Sequence, residues 1–362
     1  MKIFHVCADP GVAVDGAKGA AAHFRSLHAA LARAGCDVTA FVARPPRRAE
    51  SFPGRTQPAE RLREEARRSR PDLILERYAL GATEGLDVAR LVDARFALEV
   101  NAPLVDEASA HRPGTVKPGD VAAEARLFRE SGLVLPVSAP LARFVEGVRE
   151  SERGVHVLRN GFESALFADA ATPRERDGGE LEIAFLGRPR PWHGAARLPP
   201  LVAELRRRGV PARCVVVGGG DGADALRAET ERLGLASWFE FTGDLPQATA
   251  VARFRRADLA VAPYPPLAFF YFCPLKVVEA LAAGVALVTV AQGDIPEIVG
   301  DAAVLVDAAD KGGFVDACEA LLRDPARRAA LAARGRERAF AAFTWDRVAE
   351  RLLALVRGSA AS

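Results

Sequence analysis

Residues 2–42 read KIFHVCADPGVAVDGAKGAAAHFRSLHAALARAGCDVTAFV and contain a complete strand–loop–helix–strand unit. The apolar run Lys2–Cys7 predicts a strand, and a glycine-containing loop follows it. A helix is predicted over Ala20–Ala34, because Gly35 fits the glycine that commonly follows a helix end. The next apolar run, Asp37–Val42, predicts a second strand, so the unit is typical of parallel α/β architecture.

The same alternation continues to the end of the chain and predicts ten further strands. In the first half these are Asp72–Glu76, Phe96–Val100, Leu133–Val137 and Val155–Leu158. In the second half they are Glu182–Leu186, Arg213–Val217, Phe239–Thr242, Leu259–Ala262, Ala286–Val290 and Ala303–Val306. We therefore expect two doubly wound Rossmann-like domains that face each other across a cleft, with ligands at the carboxyl ends of both sheets.

The polar segment Phe167–Glu180, with a proline and two glycines, is the best linker in the chain. It gives a predicted N-terminal domain over residues 1–167, a linker over 168–180 and a C-terminal domain over 181–342. Residues 343–362 contain a final amphipathic helix.

Composition excludes several classes of protein. The 362 residues are 49% hydrophobic with a formal net charge of +2, too small to indicate a nucleic-acid binder. No uncharged apolar stretch is long enough to span a membrane, and the N-terminus lacks the apolar region of a signal peptide. Five scattered cysteines have no metal-site spacing, and His23 and His28, five residues apart, do not fit a helical metal pair. We expect no metal and a location in a reducing cytoplasm.

The most informative motif is FFYFCPLKVVEALAAG at 269–284. Pro274 fits the first position of a helix and Gly284 the residue after its end. The free N–H groups near Leu275 and Lys276, together with the Lys276 ammonium, would form a diphosphate site, and Glu279 one turn later could accept hydrogen bonds from a ribose. The alternative is a simple intrahelical Lys–Glu pair, but the helix is otherwise apolar, which favours a functional role.

Two glycine-rich loops follow predicted strands. Residues 9–20 end in Lys18-Gly19-Ala20 and could approach an anion at a helix N-terminus, or form an ordinary surface turn. Gly218–Gly222 partly resembles a dinucleotide fingerprint, but Ala223 replaces its third glycine. A tight strand-to-helix turn is the better interpretation, and an NAD(P)-dependent oxidoreductase stays open as an alternative.

Five motifs together resemble the family 4 retaining glycosyltransferases, which have the two-domain GT-B fold. They are the loop 18–23, the segment Asn160-Gly161-Phe162-Glu163, the strand end Gly187-Arg188, the strand Phe241-Thr242-Gly243 and the helix 279–284. Their order and separations match that family over nearly the whole chain. The resemblance implies a nucleotide-sugar site in the C-terminal domain, an acceptor site in the N-terminal domain and a final helix that returns to the N-terminal domain.

The resemblance also implies roles for individual residues. The expected catalytic residues are Arg188, Lys276 and Asn101. The expected donor-binding residues are Gly19, Gly187, Arg188, His193, Gly218, Pro274, Leu275, Lys276 and Glu279. The expected acceptor-side residues are Lys18, Tyr78 and His111, although a packing role for Tyr78 and a plain surface loop for His111 are equally open.

The sequence departs from that family at three positions. Tyr271 stands eight residues before Glu279, where the family has a glutamate for the sugar hydroxyls. His193 stands where a lysine is usual, and Asn101 stands where the family has a histidine, at the end of the fourth strand of the N-domain. A subgroup with a "PLK" segment before the second glutamate accommodates the first departure, so we do not interpret Tyr271 as a sign of inactivity.

The sequence therefore predicts a metal-independent retaining glycosyltransferase without a cofactor. It would transfer a sugar from a UDP- or GDP-linked donor to a glycan, lipid or small-metabolite acceptor. A non-catalytic protein that binds a nucleotide sugar or a partner is the first alternative. Nine arginines between Arg44 and Arg70 also allow peripheral contact with the inner face of a membrane, but a solvated helix face is the favoured interpretation.

Overall fold

The computed structural model of the chain describes residues 1–16, 19–48, 51–112, 114–169 and 179–358. Most of the predicted linker 168–180 lies outside these residues. No helix in this part of the chain is long and apolar enough to cross a membrane. All five cysteines are free thiols, and four of them are buried.

The strands are short and largely apolar. They are β1 (Lys2–Cys7), β2 (Asp37–Val42), β3 (Arg55–Pro58), β4 (Leu73–Arg77), β5 (Arg95–Val100), β6 (Leu133–Pro136), β7 (Leu181–Leu186), β8 (Ala212–Val217), β9 (Phe239–Phe241), β10 (Leu259–Ala262), β11 (Leu287–Val290) and β12 (Val304–Val306). Most are buried on both sides, which explains why they appear in the sequence as continuous apolar runs.

Helices connect these strands and cover the sheets. They are α1 (Gly19–Arg33), α2 (Leu62–Ser69), α3 (Glu84–Val92), α4 (Leu104–His111), α5 (Pro118–Glu130), α6 (Ala139–Arg149), α7 (Leu198–Arg207), α8 (Asp221–Arg232), α9 (Gln247–Phe254), α10 (Leu275–Ala283), α11 (Ile295–Val299), α12 (Lys311–Arg323), α13 (Pro325–Ala342) and α14 (Trp345–Gly358).

The strands form two six-stranded parallel sheets, ordered β3-β2-β1-β4-β5-β6 and β12-β11-β10-β7-β8-β9. In each sheet the strand order reverses beside the first strand of that half of the chain. This is the doubly wound arrangement, so the predicted fold class of two Rossmann-like sheets is confirmed.

One predicted strand is wrong and one strand was missed. The segment Val155–Leu158 makes only a single bridge to β6, between Val155 and Val134, and is not a strand of the sheet. The sixth strand of the first sheet is instead β3, at its edge. Its sequence, Arg-Thr-Gln-Pro, is polar and ends in proline, as edge strands often are, so the search for apolar runs passed over it.

The chain divides into two compact units. The first contains Met1–Gly161, Tyr271–Cys273 and Trp345–Ser362, and the second contains Phe162–Phe270 and Pro274–Thr344. Helix α14 therefore belongs to the first unit, where Trp345, Leu352 and Val356 pack into one core with residues of α1 and the first sheet.

Candidate functional site

The strand order of the second sheet reverses between β7 and β10, which lie side by side as parallel neighbours. In doubly wound sheets the connections leave such a point in opposite directions and open a crevice at the carboxyl ends of the strands. The loops of residues 187–194 and 263–270 leave the sheet here. This edge is therefore where a ligand site is expected in the second unit.

Glycines bring these loops into direct backbone contact. Gly194 has φ +74°, and a Cβ at this residue would lie 1.8 Å from the carbonyl oxygen of Pro263. Gly218 has φ +145°, and its Cβ would lie 2.7 Å from the carbonyl oxygen of Gly187. No other residue type fits either position without movement of the backbone. The glycines thus hold the ends of β7, β8 and β10 close together.

Helix α10 begins at this edge. Pro274 is its N-cap residue rather than the first helical residue, and its carbonyl accepts the N–H of Val277 over 2.9 Å. Gly284 ends the helix with φ +68°, as predicted. The N–H groups of Leu275 and Lys276 lie in the first turn, where helical N–H groups have no intrahelical acceptor. This end of the helix carries partial positive charge and favours an anion.

The Lys276 ammonium is buried without a hydrogen-bond partner among the described residues. Its Nζ lies 4.1 Å from the centroid of the Phe185 ring and 5.6 Å from that of Tyr264, so aromatic faces surround it. Burial lowers the pKa of Lys276 to about 7, although the nearby Glu279 carboxylate acts in the opposite direction. An anionic ligand would supply the hydrogen-bond acceptor that this ammonium lacks.

Glu279 lies one helical turn after Lys276 and is half-buried. Burial raises the pKa of its carboxyl to about 7, and the Lys276 charge limits that rise. The two charges interact electrostatically within the helix, but the Lys276 ammonium makes no hydrogen bond to Glu279. Neither charge is paired well enough to offset its desolvation, which is typical of groups that serve a ligand.

Two further predicted donor residues follow β7. Arg188 is exposed, and its Nη2 donates to Asp244 Oδ2 over 2.9 Å. His193 ends a short 3-10 turn, and its Nδ1 lies 2.8 Å from the carbonyl oxygen of Arg188. Burial and the charge of Lys276 lower the pKa of His193 to about 4. The imidazole is therefore neutral at pH 7, and the positive charge at this edge comes from lysine and arginine.

The glycine-rich turn after β8 packs tightly against neighbouring backbone. A Cβ at Gly222 would lie 2.2 Å from the carbonyl oxygen of Pro189, and one at Gly219 would lie 2.8 Å from the amide nitrogen of Asp244. These contacts account for two of the glycines through packing. They favour the tight strand-to-helix turn over the dinucleotide interpretation.

In the first unit, the predicted residues lie in several places. Asn101 follows β5, and its Nδ2 is buried with no acceptor in the described part of the chain. Gly19 is the first residue of α1, and a Cβ there would meet no described atom within 4 Å. Lys18 lies outside the described residues. His111 is the last residue of α4, but its side chain is not among those described.

Tyr78 is only 4% exposed, and its hydroxyl donates to Glu124 Oε2 over 2.7 Å. Its ring packs edge-on against Phe128. The side chain thus joins the end of β4 to α5. This is the packing role that the sequence allowed as an alternative to contact with an acceptor.

Tyr271, which replaces an expected glutamate, has a different set of partners. Its hydroxyl donates to Glu107 Oε1 in α4, and its carbonyl oxygen accepts from Ser138 Oγ. All three residues belong to the first unit. The Tyr271 hydroxyl therefore binds a carboxylate, whereas a glutamate at this position would itself provide one.

Sequence reasoning missed a buried polar cluster in the first unit. His23 Nε2 lies 2.5 Å from Glu99 Oε1, and Arg77 Nη1 lies 3.8 Å from Glu99 Oε2. Arg77 ends β4, and Glu99 lies opposite it in β5. The available signal was the presence of charged residues in two largely apolar strands, Glu76 and Arg77 in β4 and Glu99 in β5, since such residues are rarely buried without a purpose.

Two further observations concern metal ligands and the basic segment of the first unit. The residues that the structure describes contain no group of three or more His, Cys, Asp or Glu side chains arranged to hold a metal ion. In the basic segment 44–70, four arginines have carboxylate partners: Arg55, Arg61, Arg63 and Arg68. This pairing agrees with a solvated face.

Residues 180–324 match the family model described as "Glycosyl transferases group 1". A D-inositol 3-phosphate glycosyltransferase of Segniliparus rotundus is 30% identical over 216 residues, which is 57% of this chain and 47% of that protein. A GDP-mannose-dependent alpha-(1-6)-phosphatidylinositol monomannoside mannosyltransferase of Mycobacterium tuberculosis is 32% identical over 194 residues, or 52% of this chain and 50% of that protein. The chain thus spans about half the length of the curated relatives it matches.

Solved structures show the fold over the whole chain. Sucrose-phosphate synthase from Thermosynechococcus elongatus superposes with a TM-score of 0.71 at 21% identity and covers 100% of both chains. Anabaena Alr3699/HepE in complex with UDP gives a TM-score of 0.73 at 16% identity and covers 99% of this chain and 100% of that one. These likenesses extend the prediction of a GT-B arrangement from single motifs to the complete set of strands and helices.

Proposed function

We propose that the chain is a metal-independent retaining glycosyltransferase that acts in a reducing cytoplasm. The premise of this proposal is that residues 180–324, which match the group 1 glycosyltransferase model, form such a domain. Its donor would be a UDP- or GDP-linked sugar. The observation that carries the proposal is the Lys276 ammonium, buried at the start of α10 without a hydrogen-bond partner among the described residues. A diphosphate is the ligand that this ammonium and the adjacent helix N–H groups suit best.

Each part of the donor would contact different residues at the carboxyl edge of the second sheet. The diphosphate would contact Arg188, Lys276 and the N–H of Leu275, while the ribose hydroxyls would donate to Glu279. Gly187 and Gly218 would let the ligand approach the backbone. His193, neutral at pH 7, would accept or donate a hydrogen bond but would not supply charge.

Catalysis would consist mainly of stabilising the leaving group. When the bond between the anomeric carbon and the diphosphate breaks, negative charge develops on the departing phosphate oxygen. Arg188, Lys276 and the helix N-terminus would stabilise that charge. In a front-face, ion-pair-like route, the acceptor oxygen bonds to the anomeric carbon on the face the diphosphate leaves, and its proton passes to the leaving phosphate.

The acceptor would bind in the first unit, where Asn101 presents a buried Nδ2. The relatives are named for D-inositol 3-phosphate and for a phosphatidylinositol monomannoside, a polyol and a glycolipid. We propose the same broad class of hydroxyl acceptor for this chain.

A second candidate function is a protein that binds a nucleotide sugar without turnover. The observation that favours it is Tyr271, whose hydroxyl is already occupied by Glu107. Under this alternative the donor edge would bind nucleotide normally, but neither transfer nor hydrolysis of the sugar would occur.

The first experiment is a thermal-shift panel of UDP, GDP, ADP, their common sugar conjugates and NAD(P), with and without magnesium. We expect one nucleoside diphosphate to raise the Tm independently of magnesium. Product analysis with the matching nucleotide sugar would then separate the enzyme from the non-catalytic alternative. A larger shift from a nicotinamide cofactor than from any nucleoside diphosphate would favour the oxidoreductase.

A pair of lysine variants makes the panel specific. Lys276→Met should weaken nucleotide binding ~10- to 100-fold, because it removes a charge-assisted hydrogen bond. Lys311→Met is the matched control, since Lys311 also lies in the first turn of a helix but is exposed. Equal nucleotide affinity in both variants would remove Lys276 from the donor site.

A further inference from the structure

Arg77, the last residue of β4, has a guanidinium that makes no hydrogen bond to the described residues. Its side chain is 14% exposed, and its Nη1 atom is buried. The nearest carboxylate oxygen, Glu99 Oε2, is 3.8 Å away, which is too far for a hydrogen bond. Within the described residues, the guanidinium therefore donates to nothing, although it carries five N–H groups.

Arg149 shows what a structural arginine looks like in the same unit. Its side chain is also partly buried, but Nη1 donates to two backbone carbonyls, those of Phe128 and Ser131, the latter over 2.8 Å. That guanidinium caps the end of α5. Arg77 caps no helix, and its ion pair with Glu99 across β4 and β5 is too long for a hydrogen bond, so its N–H donors have no acceptor among the described residues.

Glu99 is held in place by its contact with His23. Its Oε1 is 2.5 Å from His23 Nε2, and the carboxylate is only 2% exposed. Burial disfavours its charge, but His23 and Arg77 together outweigh that effect and lower the pKa of Glu99 to about 2. The carboxylate is therefore a fixed anion that faces Arg77 and sets the direction of its guanidinium.

A second unused donor lies at the same sheet edge. Asn101 comes two residues after Glu99, and Glu99 is paired in register with Arg77 on the neighbouring strand. Asn101 Nδ2 is buried and has no acceptor in the described chain. Because parallel strands end at the same edge, β4 and β5 bring two donors there, and each lacks an acceptor.

We propose that Arg77 and Asn101 bind an oxyanion, a phosphate or carboxylate group, on the acceptor substrate. Guanidinium geometry matches two oxygens of such a group, and the amide adds a third donor. Glu99 and His23 are positioning residues, because they orient Arg77 and do not themselves contact the acceptor. The inference rests on the proposed glycosyltransferase function and narrows its acceptors to anionic molecules.

The test measures phosphate binding by calorimetry with the donor edge blocked. Saturating nucleoside diphosphate, or a Lys276→Met background if no nucleotide binds, keeps the probe away from α10. Inorganic phosphate and D-glucose 6-phosphate are the anionic probes, and D-glucose is the neutral one. We expect Arg77→Met to weaken binding of D-glucose 6-phosphate ~10- to 100-fold and to leave D-glucose unaffected.

Two control variants separate a loss of phosphate binding from a general loss of stability or folding. Arg149→Met removes another partly buried guanidinium and should lower the Tm without changing binding of either phosphate probe. The double variant Arg77→Met/Glu99→Gln removes both charges of the pair, so it tests the same loss of binding if Arg77→Met alone fails to fold. Asn101→Ala should give a smaller loss in the same direction.

The outcomes distinguish this inference from the proposed function. If D-glucose 6-phosphate binds the wild type and Arg77→Met equally, or binds neither, Arg77 holds only ordered water and the inference fails. Binding of inorganic phosphate but not of D-glucose 6-phosphate would assign the group to a free anion and exclude an acceptor. If no nucleotide binds, the proposed donor site is wrong, but the effect of Arg77→Met on phosphate binding can still be interpreted.

Discussion

The guanidinium of Arg188 donates to Asp244 Oδ2 over 2.9 Å, at the edge of the second sheet where the diphosphate is proposed to bind. Both side chains are exposed, so this ion pair is weak and is screened by salt. Asp244 therefore competes with an incoming diphosphate for the same guanidinium. The pair holds Arg188 in place before the donor arrives and has to open when it binds.

Replacement of Asp244 should consequently tighten nucleotide binding. We expect Asp244→Asn to lower the Kd of the nucleoside diphosphate about two- to fivefold at low salt, because the competing charge is removed. Titration calorimetry of the wild type and variant measures this. In an Arg188→Ala background the same substitution should change the Kd much less; an equal gain there would show that Asp244 acts on the ligand directly.

Nucleotide affinity should depend on pH through Lys276. Burial lowers the pKa of its ammonium to about 7 in the free protein, and a bound diphosphate would raise it. The Lys276 ammonium then holds more of its proton in the complex than in the free protein, so its contribution to affinity is complete below about pH 7 and is lost as the pH rises further. Calorimetry in buffers of different ionisation enthalpy should detect proton uptake on binding above that pH. A Lys276→Met variant should lack this uptake, and uptake that persists in the variant contradicts the assignment.

The close approach of Gly194 to Pro263 predicts a local requirement for glycine. Gly194→Ala should lower the free energy of unfolding by more than ~2 kcal/mol and weaken nucleotide binding, because a Cβ would lie 1.8 Å from a carbonyl oxygen. Gly209→Ala is the matched control: its φ is +78°, but a Cβ meets no described atom within 4 Å. It should show only the backbone strain, about 1 kcal/mol. If urea denaturation gave the same loss of stability for both variants, the backbone near Pro263 would have moved to accommodate the added Cβ at little cost.

Two buried histidines predict loss of stability in acid. Burial lowers the pKa of His28 from 6.5 to about 4, and burial and His28 lower that of His5 well below 6.5. The unfolded chain therefore binds protons that the folded chain does not, and stability falls as the pH drops below about 6.5. His28 alone should cost about 2 kcal/mol between about pH 7 and about pH 5. Urea midpoints at the two pH values measure this, and His28→Leu should flatten the dependence; an unchanged slope would exclude His28 as its source.

The fold was largely predictable because its strands carry their own signal. All six strands of the second sheet lie within one residue of the predicted bounds, since strands buried on both faces are continuous apolar runs. The exception in the first sheet is Arg55–Pro58, whose place depends on pairing with β2 and not on its composition. An edge strand of this kind is identified by its pairing in the three-dimensional structure and not by an apolar run in the sequence.

Contacts between side chains of the candidate site could be predicted only where the residues are close in sequence. Lys276 and Glu279 lie three residues apart on one helix, so their relation follows from helical geometry. His23 and Glu99 are 76 residues apart, and Tyr271 and Glu107 are 164 apart. Their contacts depend on strand order and on the route of the chain, which residue patterns do not encode.

Helix α14 also determines when the first unit can be completed during synthesis. Trp345, Leu352 and Val356 fill the same core as Ile3 and Leu75, so that core has an open face until the last helix is made. The ribosome releases the entire second unit before these residues emerge. Although it begins first, the amino-terminal half therefore finishes folding last, and a chain stalled after residue 344 would expose an apolar surface for chaperones to bind.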